Sequence, residues 1–185
     1  MYLGYQNNKI KFYTEQPLNQ TLYNIDKVEE TDDEYVLDGD EYVLKDEEYS
    51  AKELQEAKQA KYNEANSKAN EYLQSGEALY EFEEGKHIEA TDGNIAKMTA
   101  YALAYVTGQL QPEDTVVWNT KEDETVNLNQ VQIVAILNGL GNVQAVVWSV
   151  QYPVYVSMIE SATTIEEVEA IEIDYTTPVE ESEGE

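Results

Sequence analysis

The chain has 185 residues, 38 of them acidic against 11 basic, and a formal net charge of -27. That balance argues against binding nucleic-acid backbones, which need clustered positive charge, and with no arginine the chain also lacks the planar fork that grips a phosphate in two places. Cysteine is absent as well, which removes disulfides and thiolate metal sites.

At this length and 42% hydrophobic residues, one domain with a real core, or a domain plus a small appendage, is expected. The opening MYLGYQNNKI has no basic segment leading into an apolar run, so a secretory signal is not expected. Residues 1–48 read as a small antiparallel β-rich region with short Tyr-rich runs such as 10–13. Its clearest signal is the near-repeat DEYVLDGDEYVLKD, two strands over 34–37 and 41–44 around Asp38-Gly39, a pair suited to tight hairpin turns. The acids there do not follow the alternate spacing of a calcium loop with glycine sixth. They are read as solvated turn acids, and no metal or other cofactor is expected.

A mainly helical domain with short hairpins is expected over 49–175, giving an α+β chain. Ser50-Ala51-Lys52-Glu53 is a capping-box pattern that predicts a helix over 50–73. Its apolar stripe of Leu54, Ala57, Ala65, Ala69 and Tyr72 is thin. Lys58, Lys61 and Lys68 fall on the same side, with stems that can lie along the stripe. Two readings stay open: packing inside the monomer, or an arm or coiled-coil strand in an oligomer. Gly76 ends the helix. Strands over 79–82 and 87–89 form a hairpin around Gly85, and Asp92 is the expected cap of the next helix. Ile95, Met98, Ala102 and Val106 make the core face of that helix, and Gly108 stops it. Strands over 115–120 and 125–128 turn through 121–124, with Trp118 against the helices.

Residues 125–159 carry no charged side chain, which marks them as the core. Asn and Gln interrupt the run, so no membrane span is expected. Asn129 is placed as a helix cap with Gln132 at the third helical position, and Leu128 and Ile133 are spaced as a hydrophobic staple. Residues 143–156 are rich in β-branched and aromatic types that favour strand. However, Trp148, Tyr152, Tyr155 and Ile159 keep helical spacing, and the reading adopted is a long helix with a kink near Pro153. Thr164-Ile165-Glu166-Glu167 is a further capping box, opening a short helix with Val168 and Ile171 inward. An acidic, mobile tail is expected over 176–185.

This order of parts carries a resemblance. A Lys- and Glu-rich helix leads to a hairpin with Tyr80-Glu81-Phe82 and a helix opening on Asp92. Trp118-Asn119-Thr120 and Val126-Asn127-Leu128 follow, then the long helix and the ending ATTIEEVEAI. Residues 50–175 resemble an uncharacterised domain of bacteriophage tail proteins, often met in tail-fibre and tail-fibre-assembly genes. Gly139-Leu140-Gly141 and Pro153 depart from the pattern by interrupting its continuous helix. The resemblance brings no catalytic, cofactor-binding, metal or partner-binding residues.

It implies a non-enzymatic tail structural or fibre-assembly protein, in the virion or in the host cytoplasm during assembly, acting on other tail or fibre proteins. A surface rich in tyrosine suits protein contacts, and the thin helix over 50–73 would gain burial from a second copy, so a homo-oligomer is expected. The alternative is an acidic antagonist that mimics nucleic acid and fills the basic groove of a host defence protein. An enzyme is the third reading. With one histidine, His87, and no cysteine, only a carboxylate pair of the glycosidase kind would serve, and His87 is expected to be an exposed strand residue.

Overall fold

The computed structural model describes residues 1–7 and 9–177 of an α+β chain that packs as two compact units, Met1–Ala57 and Lys58–Glu185. From residue 178 on, the expected acidic tail lies outside the described residues.

In the first unit, β1 (Tyr2–Gln6) is the centre of an antiparallel sheet, flanked by β2 (Lys9–Thr14) and β3 (Lys27–Glu30). A single-turn helix, α1 (Gln20–Tyr23), lies in the β2–β3 connection, where no helix was expected. β4 (Tyr35–Asp38) and β5 (Glu41–Leu44) form the expected hairpin around Gly39. Lys9 and Lys11 tie β2 to it through Glu41 at 3.2 Å and Asp40 at 2.8 Å. The Tyr13 ring packs on Tyr35 and Tyr42, with centroids 5.5 and 5.9 Å apart. Among the described residues only Leu3 and Ile25 are buried hydrophobics here, so these aromatic pairs supply much of the packing.

The helix α2 (Glu47–Ser75) starts a turn before the expected Ser50. The Asp46 carboxylate accepts the Tyr49 N–H at 2.9 Å, which makes Asp46 the cap and leaves Ser50 inside the helix. In the second unit the choice left open for its stripe is decided: Ala65 and Ala69 are fully buried, Leu73 nearly so, and Tyr62 and Tyr72 pack against the same core. The lysines on that side have a use that periodicity does not reveal. Lys58, Lys61 and Lys68 donate to the carbonyls of Glu160, Ile171 and Ile173 at 3.0, 3.3 and 3.2 Å. These carbonyls would otherwise lack partners.

Gly76, at φ 82°, takes the left-handed turn that ends α2. β6 (Leu79–Glu83) and β7 (Lys86–Glu89) pair as expected. The helix α3 (Asp92–Val106) is capped by Thr91, whose hydroxyl accepts the Asn94 N–H at 3.2 Å; Asp92 instead occupies the first turn, where its charge suits the helix dipole. Its inward face ends on Tyr105, 7% exposed, while the expected Val106 is 79% exposed. β8 (Val116–Asn119) and β9 (Thr125–Leu128) close the third hairpin, with Trp118 buried.

The long helix is present, in three parts: α4 (Gln130–Val146), a π-helical turn (Val147–Gln151) and α5 (Tyr152–Ser161). Residues 143–156 are therefore helical, because their outward-facing valines cost little beside the core contacts of the inward ones. Pro153 has no N–H to give, and the ladder widens just before it, the Tyr152 N–H reaching Val147. As one element, Gln130–Ser161 is long and apolar enough by length and composition to cross a membrane; its most apolar 18-residue window has a mean hydropathy of 1.6 and is 28% buried.

Both bonds of the Asn129–Gln132 capping box are made, at 3.0 and 3.1 Å, and Leu128 and Ile133 are fully buried. Asn129→Ala is expected to cost about 1 kcal/mol, read as a lower urea midpoint with an unchanged slope. The second box, Thr164 with Glu167, opens α6 (Ile165–Glu169).

After α6 the chain runs extended over 171–175 and buries alternate residues, Ile171, Ile173 and Tyr175. Among the described residues this strap has no strand partner. Side chains hold it instead: Lys61 and Lys68 as above, Gln151 on the Tyr175 carbonyl, and Tyr155, whose hydroxyl donates to the Asp174 carbonyl at 2.6 Å and accepts its N–H at 3.0 Å. The Tyr175 hydroxyl donates to the Ala65 carbonyl at 3.1 Å, and burial pushes this phenol well above the usual tyrosine range.

Candidate functional site

Three surfaces of the second unit have the shape or chemistry to meet another molecule. The first is a cleft of about 590 Å³ between α3 and the hairpins, where Tyr101, Trp118, Lys97 and the amides of Asn94 and Asn119 converge. The Lys97 ammonium lies 5.8 Å from the centroid of the Trp118 ring, a cation–π arrangement that holds it over the opening. Asn94 is partly committed, its amide donating to the Glu89 carbonyl at 3.1 Å. Glu89 is paired with Lys121 at 2.7 Å. The cleft can hold a polar group against an aromatic face; of the two acids that line it, Glu89 is tied to Lys121 and Asp123 lies on the β8–β9 turn.

His87 adjoins this region through its chain neighbour Ile88. It lies on β7, half-buried rather than fully exposed, with Nδ1 2.7 Å from the Glu122 carboxylate. The other Glu122 oxygen accepts the His87 backbone N–H at 3.0 Å, and the Lys121 N–H donates to the His87 carbonyl at 2.9 Å. The β8–β9 turn thus docks on β7. The backbone N–H of His87, more than its ring, holds the Glu122 carboxyl down at about 2. A depressed carboxyl stabilises above its unfolded value of 4.5 and loses that contribution as pH falls towards 2. Glu122→Gln is expected to lower the melting temperature at pH 7 and to flatten its fall between about pH 4.5 and 2, which melting curves across that range would check.

A second groove, about 490 Å³, follows α2 beside α5, with Gln59, Asn63, Asn66 and Asn70 on one rail and Tyr152 on the other. Its amides bond one another along the helix, Gln59 to Asn63 at 3.2 Å and Asn70 to Asn66 at 3.1 Å. The third surface is the outward face of α4, where Val131, Val134 and Val146 are 77, 44 and 49% exposed.

Other carboxyl groups with a clear displacement also lie low, each for a structural reason: Glu64 between Lys61 and Lys68, Glu167 on the N–H and hydroxyl of Thr163, Asp174 on Thr176. A general acid needs the opposite displacement. Among the described residues no group of three or more His, Asp or Glu side chains could hold a metal ion. Sequence reasoning had named no site residues. The cleft was missed because Lys97 and Trp118 are 21 positions apart on different elements; the α4 face had a signal in the chain, an apolar run with no charge on either side of the helix. No family model matches this chain, and no curated protein and no solved structure matches it.

Proposed function

We propose that the chain is a non-enzymatic bacteriophage tail structural or fibre-assembly protein that works through protein contacts. The observation that carries the reading is the distribution of surface chemistry: a net charge of -27 with a helix, α4, whose exposed face has no charge at all. Such a face is costly to leave in water and suits a protein neighbour. The tail assignment rests on the resemblance over 50–175. The carboxylates contribute to caps, hairpin ties and lysine pairs, which supports a binding scaffold over a carboxylate-pair hydrolase.

Fractionating the lysate of the native source and quantifying this chain by mass spectrometry tests the reading. Recovery in assembled particles at a fixed ratio to a known tail protein is the expected result for a virion component; recovery only in soluble complexes with a fibre protein is that for an assembly factor. Recovery with a basic nuclease or repressor, released by salt, would replace the reading by nucleic-acid mimicry.

A further inference from the structure

The exposed face of α4 is self-complementary. Around Leu140, which is fully buried and points into the core, the outward residues repeat in mirror order: Val134 and Ala135, then Asn138, then Asn142, then Ala145 and Val146. Each pair lies equally far from residue 140, so an antiparallel copy related by a two-fold axis at that level sets the members of each pair level with one another. All six are exposed. At 100° per residue, Ala135, Asn138, Asn142 and Ala145 lie within about 40° of the direction opposite Leu140, and the two valines flank them.

We infer that this face is a homodimer interface, in which a second copy lays its α4 antiparallel across the first. Ala135 then meets the partner's Ala145 and Asn138 meets the partner's Asn142, while Val134 and Val146 flank the seam on opposite sides. The spacing 135, 138, 142, 145 is the four-and-three step of a coiled-coil seam, and antiparallel pairing sets its two kinds of position against each other. Small residues let the axes come close, towards the lower end of the usual range of about 8–10 Å. The asparagine side chains make no hydrogen bond within the chain among the described residues. Across the two-fold axis each amide offers the donors and acceptors that the other needs.

Charge selects the occupant. Two chains at -27 repel over most of their surface, and the α4 face, uncharged along its length, lets two copies approach without opposing carboxylates. A membrane surface fits less well, because interfacial helices carry lysine or arginine beside the apolar face and this one has none within residues 125–159. The contact is modest. Residues 131–150 span about 30 Å, and a helix width of about 10–12 Å gives on the order of 300–400 Å² per partner. That is below the roughly 800 Å² of a standard interface, so association is expected in the micromolar range. Pairing of this kind is independent of the tail assignment.

The test is sedimentation velocity on the full chain over a concentration series up to millimolar. Wild type should shift from one chain's mass towards two. The pair Ala135→Glu with Ala145→Glu sets like charges opposite each other and should weaken association about a hundredfold. The pair Ala135→Lys with Ala145→Glu sets opposite charges together only in the antiparallel register, and should associate within about tenfold of wild type. Far-UV circular dichroism and the urea midpoint show that both variants fold. Wild type that stays monomeric at millimolar concentration overturns the proposal, as does undiminished association of the first variant or loss of association in the second. Monomeric wild type that floats with neutral lipid vesicles overturns it in favour of a membrane surface.

Discussion

Tyr175→Ala is expected to cost about 3–5 kcal/mol, one of the largest effects of any single change in the second unit. The side chain is 3% exposed at the end of the strap. Its ring stacks on Tyr72 with centroids 6.5 Å apart and meets Tyr155 edge-on at 5.2 Å, so truncation opens a cavity between α2 and α5 and removes two aromatic contacts. Tyr175→Phe keeps the ring and loses only the bond to Ala65, expected to cost about 1 kcal/mol. Urea unfolding of both variants separates packing from hydrogen bonding. Equal losses would show that the hydroxyl, not the ring, anchors the strap. A chain ending after residue 175 should keep near wild-type stability, whereas one ending after residue 170 should lose cooperative unfolding.

Two glycines of α4 are expected to respond with opposite sign. A Cβ on Gly139 would lie 2.2–2.4 Å from three ring atoms of Tyr80, so the helix backbone sits flat against that ring. Gly139→Ala gains about 1 kcal/mol of helix propensity but must push the ring of a half-buried tyrosine out of place, at a cost of about 1–3 kcal/mol. A net loss is expected. At Gly141 a Cβ meets nothing within 4 Å, and Gly141→Ala should raise stability by about 0.5–1 kcal/mol. Thermal melts of the two variants decide it, and the double variant Gly139→Ala with Tyr80→Ala should recover the propensity gain if the clash is the cause.

These glycines also show where sequence reading stops. As helix breakers they argued against a continuous α4, yet one is there to admit Tyr80, a residue some 60 positions earlier. Local chemistry was legible: the three hairpins followed from Asp38-Gly39, Gly85 and the charged turn at 121–124, and the caps at Asn129 and Thr164 from their own side chains. Nested signals were not. Asp46 and Ser50 are both capping residue types, and the longer helix, capped by Asp46, prevails because extending a formed helix is easy compared with nucleating it. Thr91 and Asp92 compete in the same way. The strap was not anticipated: Ile171 was read as the inward end of a short helix, and the hydrogen-bond partners of 171–175 are side chains of α2, the π-helical turn and α5, which no local pattern could name. The same holds for Lys61 and Lys68, which looked like flaws in a stripe until the strap they hold was in view.

The π-helical turn before Pro153 also sets the rotational phase of α5. From Val147 the buried positions step by four, through Gln151 and Tyr155 to Ile159, and in an unbroken α-helix each such step rotates about 40° further round the axis. One wide turn absorbs the drift and returns Tyr155 and Ile159 to the core. Residues 147–151 therefore hold one residue more than a regular turn needs. Regular α-helix over the same residues would carry Tyr155 about 80° past the direction of Val147, turning it away from Asp174 and releasing the strap, whereas removing one residue would restore regular helix with Tyr155 and Ile159 within about 20° of that direction.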